Sequence, residues 1–328
     1  MPTPEPPVLV IGEALHDILV GPDGGRQAVP GGSPANVAVG LARLGHPVRL
    51  ATRVGRDAPG RSLRTHLVGN GVELTEDSVS DTPTSSATVA LDPRGAARYD
   101  FDIHWDLPSS VVDLAGGGAP AHLHTGSLAA LLAPGATRVL AAVETARSRA
   151  TVSYDPNLRP DLLGPPDRER PRVERLVAAG DVVKASEEDL GWLYPGQDIH
   201  EVAARWAGTG PSLVVLTFGG DGAEVLWRHG RQRVPVTPVR VSDTVGAGDA
   251  FMSGLLSGLL RAGMLGPGAG ETDGPRARTR LRAATSGTEL PAELTGALLL
   301  ASRAAALTCT RPGADPPTRA EAEAALTS

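Results

Sequence analysis

The chain has 328 residues, 41% of them hydrophobic and only 3% aromatic, with a formal net charge of −6. That apolar fraction supplies a large core filled by Ala, Val and Leu instead of rings. The acidic balance, with a pI near 5.8, argues against a nucleic-acid binder, which carries a basic stripe. In chain order, residues 8–12 are a short apolar run after prolines and read as a buried strand. Residues 32–44 carry apolar positions at helical spacing, with Asn36 near the start. Residues 48–54 read as a second strand, 57–60 as a turn and 61–69 as a helix. The alternation continues with a strand at 121–126, a helix at 136–149 and strands at 151–155, 181–185 and 213–217. This rhythm predicts a mostly parallel sheet with helices on both faces, in one α/β domain spanning residues 1–328.

Two stretches break the rhythm. Residues 14–29 and 85–102 read as extended β segments with no helix after them, and a Pro-Arg-Gly turn interrupts the second. Residues 266–293 are rich in Gly, Pro, Arg and Thr and predict a mobile loop. The lone cysteine, Cys309, excludes an internal disulfide and is expected to be a small buried packing residue. The basic residues are Arg apart from Lys184, which reads as compositional bias. The first residues hold no basic region or apolar signal core, and no stretch approaches eighteen apolar residues, so a soluble cytoplasmic protein away from membranes is expected.

The most informative segment is Asp243-Thr244-Val245-Gly246-Ala247-Gly248-Asp249, running into the apolar helix that begins at Ala250. Two glycines ahead of a helix leave backbone N–H groups uncovered where the helix dipole is positive, a receptacle for developing negative charge. Asp is also a good helix cap, but capping accounts for one acid and one glycine, not for two acids bracketing the turn. Asp249 can serve as a general base, with the amides of Gly246, Ala247 and Gly248 facing a transferring phosphoryl group. Upstream, Gly31-Gly32-Ser33-Pro34-Ala35-Asn36 opens a helix that ends at Leu44-Gly45.

These two segments resemble the two signatures of the PfkB/ribokinase family of carbohydrate kinases, in the expected order, and the resemblance runs from residue 8 to about 313. It implies a ribokinase-like three-layer fold in which residues 14–29 and 85–102 form a small β lid over the sugar. It also implies ATP-dependent phosphorylation of a sugar hydroxyl, with Mg2+ and K+ as cofactors and a dimer paired through the lids. The resemblance places Asp17, Gly31, Gly32 and Asn36 at the sugar. Asp155-Pro156-Asn157-Leu158-Arg159 is similar to the fructokinase and ketodeoxygluconate kinase branches, with Asn157 and Arg159 toward substrate or phosphate. Phe101 would line the sugar pocket. Asp243 and the backbone of Val245 would hold the monovalent cation, across from residues 310–314.

Ser186 and Asp189 stand where the family organises magnesium and phosphate, Asp189 being one methylene shorter than the usual Glu, with Glu188 as the alternative. Thr217, Gly219 and Gly222 resemble the nucleotide loop. Ser302 replaces an Asn that usually faces adenine. The whole pattern is most like fructokinase, with 2-keto-3-deoxygluconate kinase and ribokinase as alternatives. A sugar-binding regulator without catalysis is the alternative from another class. An NAD-linked oxidoreductase lacks its glycine fingerprint after the first strand.

Overall fold

A computed structural model describes residues 5–20, 25–91, 97–117, 120–266 and 274–324. The chain enters the main sheet at β1 (Val8–Ile11), leaves it for β2 (Leu15–Val20) and β3 (Arg26–Gly31), and returns through α1 (Ser33–Arg43) to β4 (Val48–Ala51). Then come β5 (Val54–Gly55), α2 (Ala58–Gly69), β6 (Val72–Leu74), β7 (Val79–Ser80), β8 (Ser86–Leu91) and β9 (Ala97–Asp102). The alternation resumes with α3 (Ser110–Gly117), β10 (His122–Gly126), α4 (Gly135–Ala146), β11 (Thr151–Asp155), α5 (Pro166–Ala179) and β12 (Val182–Ser186). Next are α6 (Glu187–Leu193), α7 (Ile199–Ala207), β13 (Leu213–Thr217) and the hairpin β14 (Ala223–Trp227) and β15 (Gly230–Val234). The chain closes with α8 (Ala247–Arg261), α9 (Gly274–Ala284), α10 (Ala292–Cys309) and α11 (Arg319–Ala324).

Among the described residues nine strands build the main sheet in the order β15-β14-β13-β12-β11-β10-β1-β4-β6, parallel from β13 to β6 and antiparallel in the terminal hairpin. Alternate residues of β1 explain the layers. Leu9 and Ile11 pack on one face with Val139, Val173, Leu190 and Val202 of α4 to α7. Val8 and Val10 pack on the other with Val37, Leu41, Leu255 and Leu298 of α1, α8 and α10. Helices on both faces leave the central strands buried on each side, which is why they read as continuous apolar runs. The helices α8 and α10 lie close because glycines sit at their contact: a Cβ on Gly258 would come within 2.5 Å of Ala297 Cβ. By length and mean hydropathy (1.2) α10 is long and apolar enough to cross a membrane, but it is interrupted by Glu293 and Arg303 and half of it is buried against the rest of the protein.

The two irregular stretches build a separate four-stranded sheet, β3-β2-β8-β9, with β2 and β8 parallel and the outer pairs antiparallel. The Pro-Arg-Gly turn at 93–95 lies outside the described residues. Three expectations need correction. The strand at 48–54 breaks after Ala51, because the Thr52 amide bonds the Ser78 hydroxyl (3.3 Å) and Val54 pairs with Val79 instead. The turn at 57–60 is the start of α2: Asp57 caps it through the Gly60 amide (2.8 Å), and Pro59 fits its first turn.

The third correction concerns residues 266–293, read as containing a mobile loop: 267–273 lie outside the described residues, and 274–284 form α9. Arg278 pins that helix with a fork onto Asp181 (2.6 and 3.0 Å) and bonds to the carbonyls of Arg147 and Ala150. Only Ala277 and Leu281 of α9 are among its fully buried apolar positions, so its hydrophobic stripe was too narrow to read.

Candidate active site

The site forms where the C-terminal ends of β1, β10, β11 and β12 meet the start of α8, the crevice in which open α/β sheets place ligands. Gly246 caps α8 in the left-handed region (φ 74°), where a side chain is disfavoured, and a Cβ there would meet Ala314 at 2.5 Å. The helix begins at Ala247, so Asp249 sits inside its first turn and not ahead of it as the sequence suggested. The amides of Gly246, Gly248 and Asp249 carry no protein acceptor among the described hydrogen bonds, whereas Ala247 bonds back to Thr244 (3.2 Å). Three uncovered N–H groups at the positive end of a fifteen-residue helix can hold an anion.

Asp249 is buried, and both its oxygens are held from α1: Oδ1 accepts from Ser33 Oγ (2.6 Å) and Oδ2 from Asn36 Nδ2 (2.8 Å). Burial raises its pKa against those two bonds and against Lys184 and Arg159. Such a carboxylate is a stronger base than an exposed one and is aimed by its donors. The positive φ of Gly32 (101°) lets α1 start here; a Cβ on it would meet the Glu13 carbonyl at 2.5 Å.

Asp17 on β2 lies against Gly31, where an added Cβ would come within 2.1 Å of its Oδ2. Burial pushes its pKa up to about 6, opposed by Arg159. Strand register sets Asp17, Ala87 and Phe101 in one row across β2, β8 and β9, so the half-buried Phe101 shares a face with Asp17. Asn157 has a left-handed backbone (φ 37°) and Arg159 folds back on it, donating to Asn157 Oδ1 (2.7 Å) and the Leu158 carbonyl (2.9 Å). Arg159 acts electrostatically on both Asp17 and Asp249, which brings the expected substrate residues to one place.

A cleft of about 440 Å3 opens from Ala247 and Gly248, and all five expected nucleotide residues, Ser186, Thr217, Gly219, Gly222 and Ser302, line it. Its apolar wall includes Val236, Val239 and Phe251. Three details differ from expectation. The Ser302 hydroxyl donates to the Pro235 carbonyl (2.7 Å), so its only proton is spent within the wall. Cys309 is only partly buried and lines the cleft. Asp189 is engaged on both oxygens: it accepts from the Ser186 amide (2.9 Å) in a capping box for α6 and from the Leu158 amide (2.6 Å). Glu188, exposed and on the cleft, is the carboxylate left over for a metal.

Asp243 is likewise tied to backbone, accepting from Val245 (3.0 Å) and Gly313 (2.7 Å), which keep its pKa low and join the loop before α8 to the 310–314 turn. Among the described residues no group of three or more His, Cys, Asp or Glu side chains could hold a metal by itself.

Sequence reasoning missed three residues. Ser33 passed as part of a glycine motif. Glu13, just past β1, is buried and accepts from the Ala129 amide (3.0 Å). Lys184, the only lysine of the chain, lies 2.8 Å from Asp155 with both side chains at most 5% exposed. Its Nζ would stand 3.6 Å from a Cβ on Gly248, which puts the ammonium beside the anion turn. Burial pulls the Lys184 pKa down, but Asp155, Asp189 and Asp249 outweigh it and the net shift is upward, so it stays a cation. A lysine ending an apolar strand in a chain otherwise using Arg was the available signal.

A family profile described as pfkB family carbohydrate kinase matches residues 17–321. A fructokinase of Klebsiella pneumoniae is 37% identical over 262 residues, covering 78% of this chain and 85% of that protein. A crystal structure of fructokinase with bound ATP from Xylella fastidiosa superposes with a TM-score of 0.79 at 26% identity, over 98% of each chain. A double mutant of the Vibrio cholerae O395 fructokinase, in a form with fructose, ADP and potassium ion bound, gives 0.78 at 29% identity over 99% of each.

Proposed function

The chain belongs to the pfkB family of carbohydrate kinases, phosphotransferases with a sugar hydroxyl as acceptor, and we propose that it transfers the γ-phosphoryl group of ATP to fructose, giving fructose 6-phosphate. The observation that carries this reading is Asp249, oriented by Ser33 and Asn36 inside a helix turn whose amides have no acceptor. The sugar lies against Asp17, Gly31, Gly32 and Asn36, with its primary hydroxyl at Asp249. Asp249 takes that proton as the oxygen attacks phosphorus, and the charge on the phosphoryl oxygens is met by the amides of Gly246, Gly248 and Asp249 and by Lys184. Arg159 swings from Asn157 to ligand oxygens, a role suited to its planar fork. The β3-β2-β8-β9 sheet acts as the lid that carries Asp17 and Phe101 over the sugar and keeps water from the triphosphate.

The cleft beside Gly248 takes ATP, its base against Val236 and Val239. Mg2+ binds through one or two carboxylates plus substrate phosphates, so Glu188, facing the cleft with no side chain competing for it among the described bonds, fits as the protein's share. Mg2+ neutralises phosphate charge when bound. The anionic Asp243 loop and the Val245 carbonyl fit a monovalent cation such as K+, with the Asp243 side chain acting mainly to shape the loop.

The test is a panel of sugars with saturating ATP, Mg2+ and K+ in a coupled assay for ADP. Fructose should give the highest kcat/KM. A preference for 2-keto-3-deoxygluconate would reassign the acceptor, and sugar binding without ADP release would favour a non-catalytic regulator.

A further inference from the structure

Adenine carries an amino donor where guanine carries a carbonyl acceptor. A donor or acceptor fixed against that edge favours one base and is left unpaired by the other. The nucleotide cleft is poor in such groups. Its lining is largely aliphatic, from Val234, Val236, Val239, Val241, Ala305 and Ala306. Val236, Val239 and Val241 are 42%, 37% and 59% exposed, so a base lying on them keeps its polar edge in water and neither purine is stripped of hydration there. The buried Ser302 hydroxyl spends its single proton on the Pro235 carbonyl (2.7 Å), which turns it into the wall and takes that carbonyl out of use. Pro235 and Pro238 bring no N–H to the same segment. Thr237, between them and on the cleft, makes no side-chain hydrogen bond among the described residues. A free hydroxyl rotates to donate or to accept, so it suits the amino group of adenine and the carbonyl of guanine alike.

We propose that the cleft selects the triphosphate and not the base, so that GTP serves as phosphoryl donor alongside ATP. The aliphatic wall meets the face of either purine, and contact of that kind discriminates weakly. Rejection by roughly 10,000-fold or more needs a hydrogen-bonding group that the wrong base leaves unpaired. Fixed recognition stays at the phosphate end, where the amides of Gly246, Gly248 and Asp249 and the Lys184 ammonium meet groups common to both nucleotides. The transfer step is the one given above: the bond from the γ-phosphorus to the bridging oxygen breaks, the bond to the sugar oxygen forms, the sugar proton goes to Asp249, and GDP leaves in place of ADP. This inference rests on the sugar-kinase reading of the cleft.

The experiment measures kcat/KM for ATP and for GTP at saturating fructose and Mg2+, and the Kd of each nucleotide by calorimetry without sugar. It compares wild type, Ser302→Ala and Ser302→Asn. In wild type the two nucleotides should lie within about tenfold of each other in both measurements. Ser302→Ala should keep that ratio, whatever it does to either constant alone, because the bond it removes was to Pro235. Ser302→Asn reaches one bond further and offers both a donor and an acceptor, so it can hold the Pro235 carbonyl and still accept from the adenine amino group; it should shift the ratio toward ATP by roughly tenfold. A wild-type Kd for GTP more than about tenfold weaker than for ATP would overturn the proposal while leaving the kinase reading intact, and loss of that gap in Ser302→Ala would trace it to the serine oxygen. Matching Kd values with no transfer from either nucleotide would instead count against the sugar-kinase reading and leave the base tolerance supported.

Discussion

Replacing Ser33 by Ala removes a 2.6 Å bond to the Asp249 carboxylate, and such charge-assisted bonds contribute about 1.5–3 kcal/mol. The pKa of Asp249 then moves further up, so the acid limb of the rate profile shifts to higher pH, and kcat at pH 7 should fall roughly tenfold or more. Steady-state kinetics across pH checks this; an unchanged profile would mean that Ser33 merely fills space. Lys184→Met should be more damaging, because it leaves Asp155 buried without its counter-ion, a loss of about 3–5 kcal/mol in stability. Adding Asp155→Asn should restore much of the lost Tm without restoring turnover, since the cation beside Gly248 stays absent. Recovery of both would reduce Lys184 to a structural role. At this scale the sequence disclosed residues with a local signature, such as the glycines and Asp249. It hid those whose role comes from distant partners: Ser33 is 216 positions from the carboxylate it bonds.

Among the elements, α9 shows how a polar helix is held. Asp181 is only 4% exposed in side chain and is matched by the Arg278 fork. Arg278→Ala should therefore lower stability by about 3–5 kcal/mol, read as a drop in Tm, while kcat per folded molecule stays near wild type. A kinetic loss at constant Tm would tie α9 to catalysis. Central strands were legible because both faces are apolar, and β11 and β13 match their predicted limits. The start of α2 was not, because Asp57, Pro59 and Gly60 signal a turn and a helix cap alike until the cap bond is seen. Likewise the motif position of Asp189 gave no sign that both its oxygens are bonded within the protein, by α6 and by the Leu158 amide.

Over the whole molecule, the ribokinase-like fold gathers carboxylates that it would hold more cheaply as neutral groups. The folded pKa of Asp17, about 6 against 3.8 ordinarily, means that its ionisation opposes folding, by up to about 3 kcal/mol once pH exceeds 6. Buried His122 and His124 work in the other direction: burial lowers their pKa values, so their share of stability is full above about pH 6.5 and is lost as pH falls. At pH 8 the histidines are neutral in both states, and Asp17→Asn should then raise Tm by a few degrees while abolishing sugar binding, a trade of activity for stability. A lower Tm would show that the carboxylate contributes to the fold.

The central claim is that Asp249 removes the proton from the sugar hydroxyl. Single-turnover transfer of the γ-phosphoryl group from ATP to fructose, measured with wild type and Asp249→Asn alongside direct fructose binding, tests it most directly. The expected result is a loss of about 100- to 10,000-fold in the transfer rate with the Kd for fructose within a few fold of wild type. Transfer by Asp249→Asn within about tenfold of wild type would contradict it.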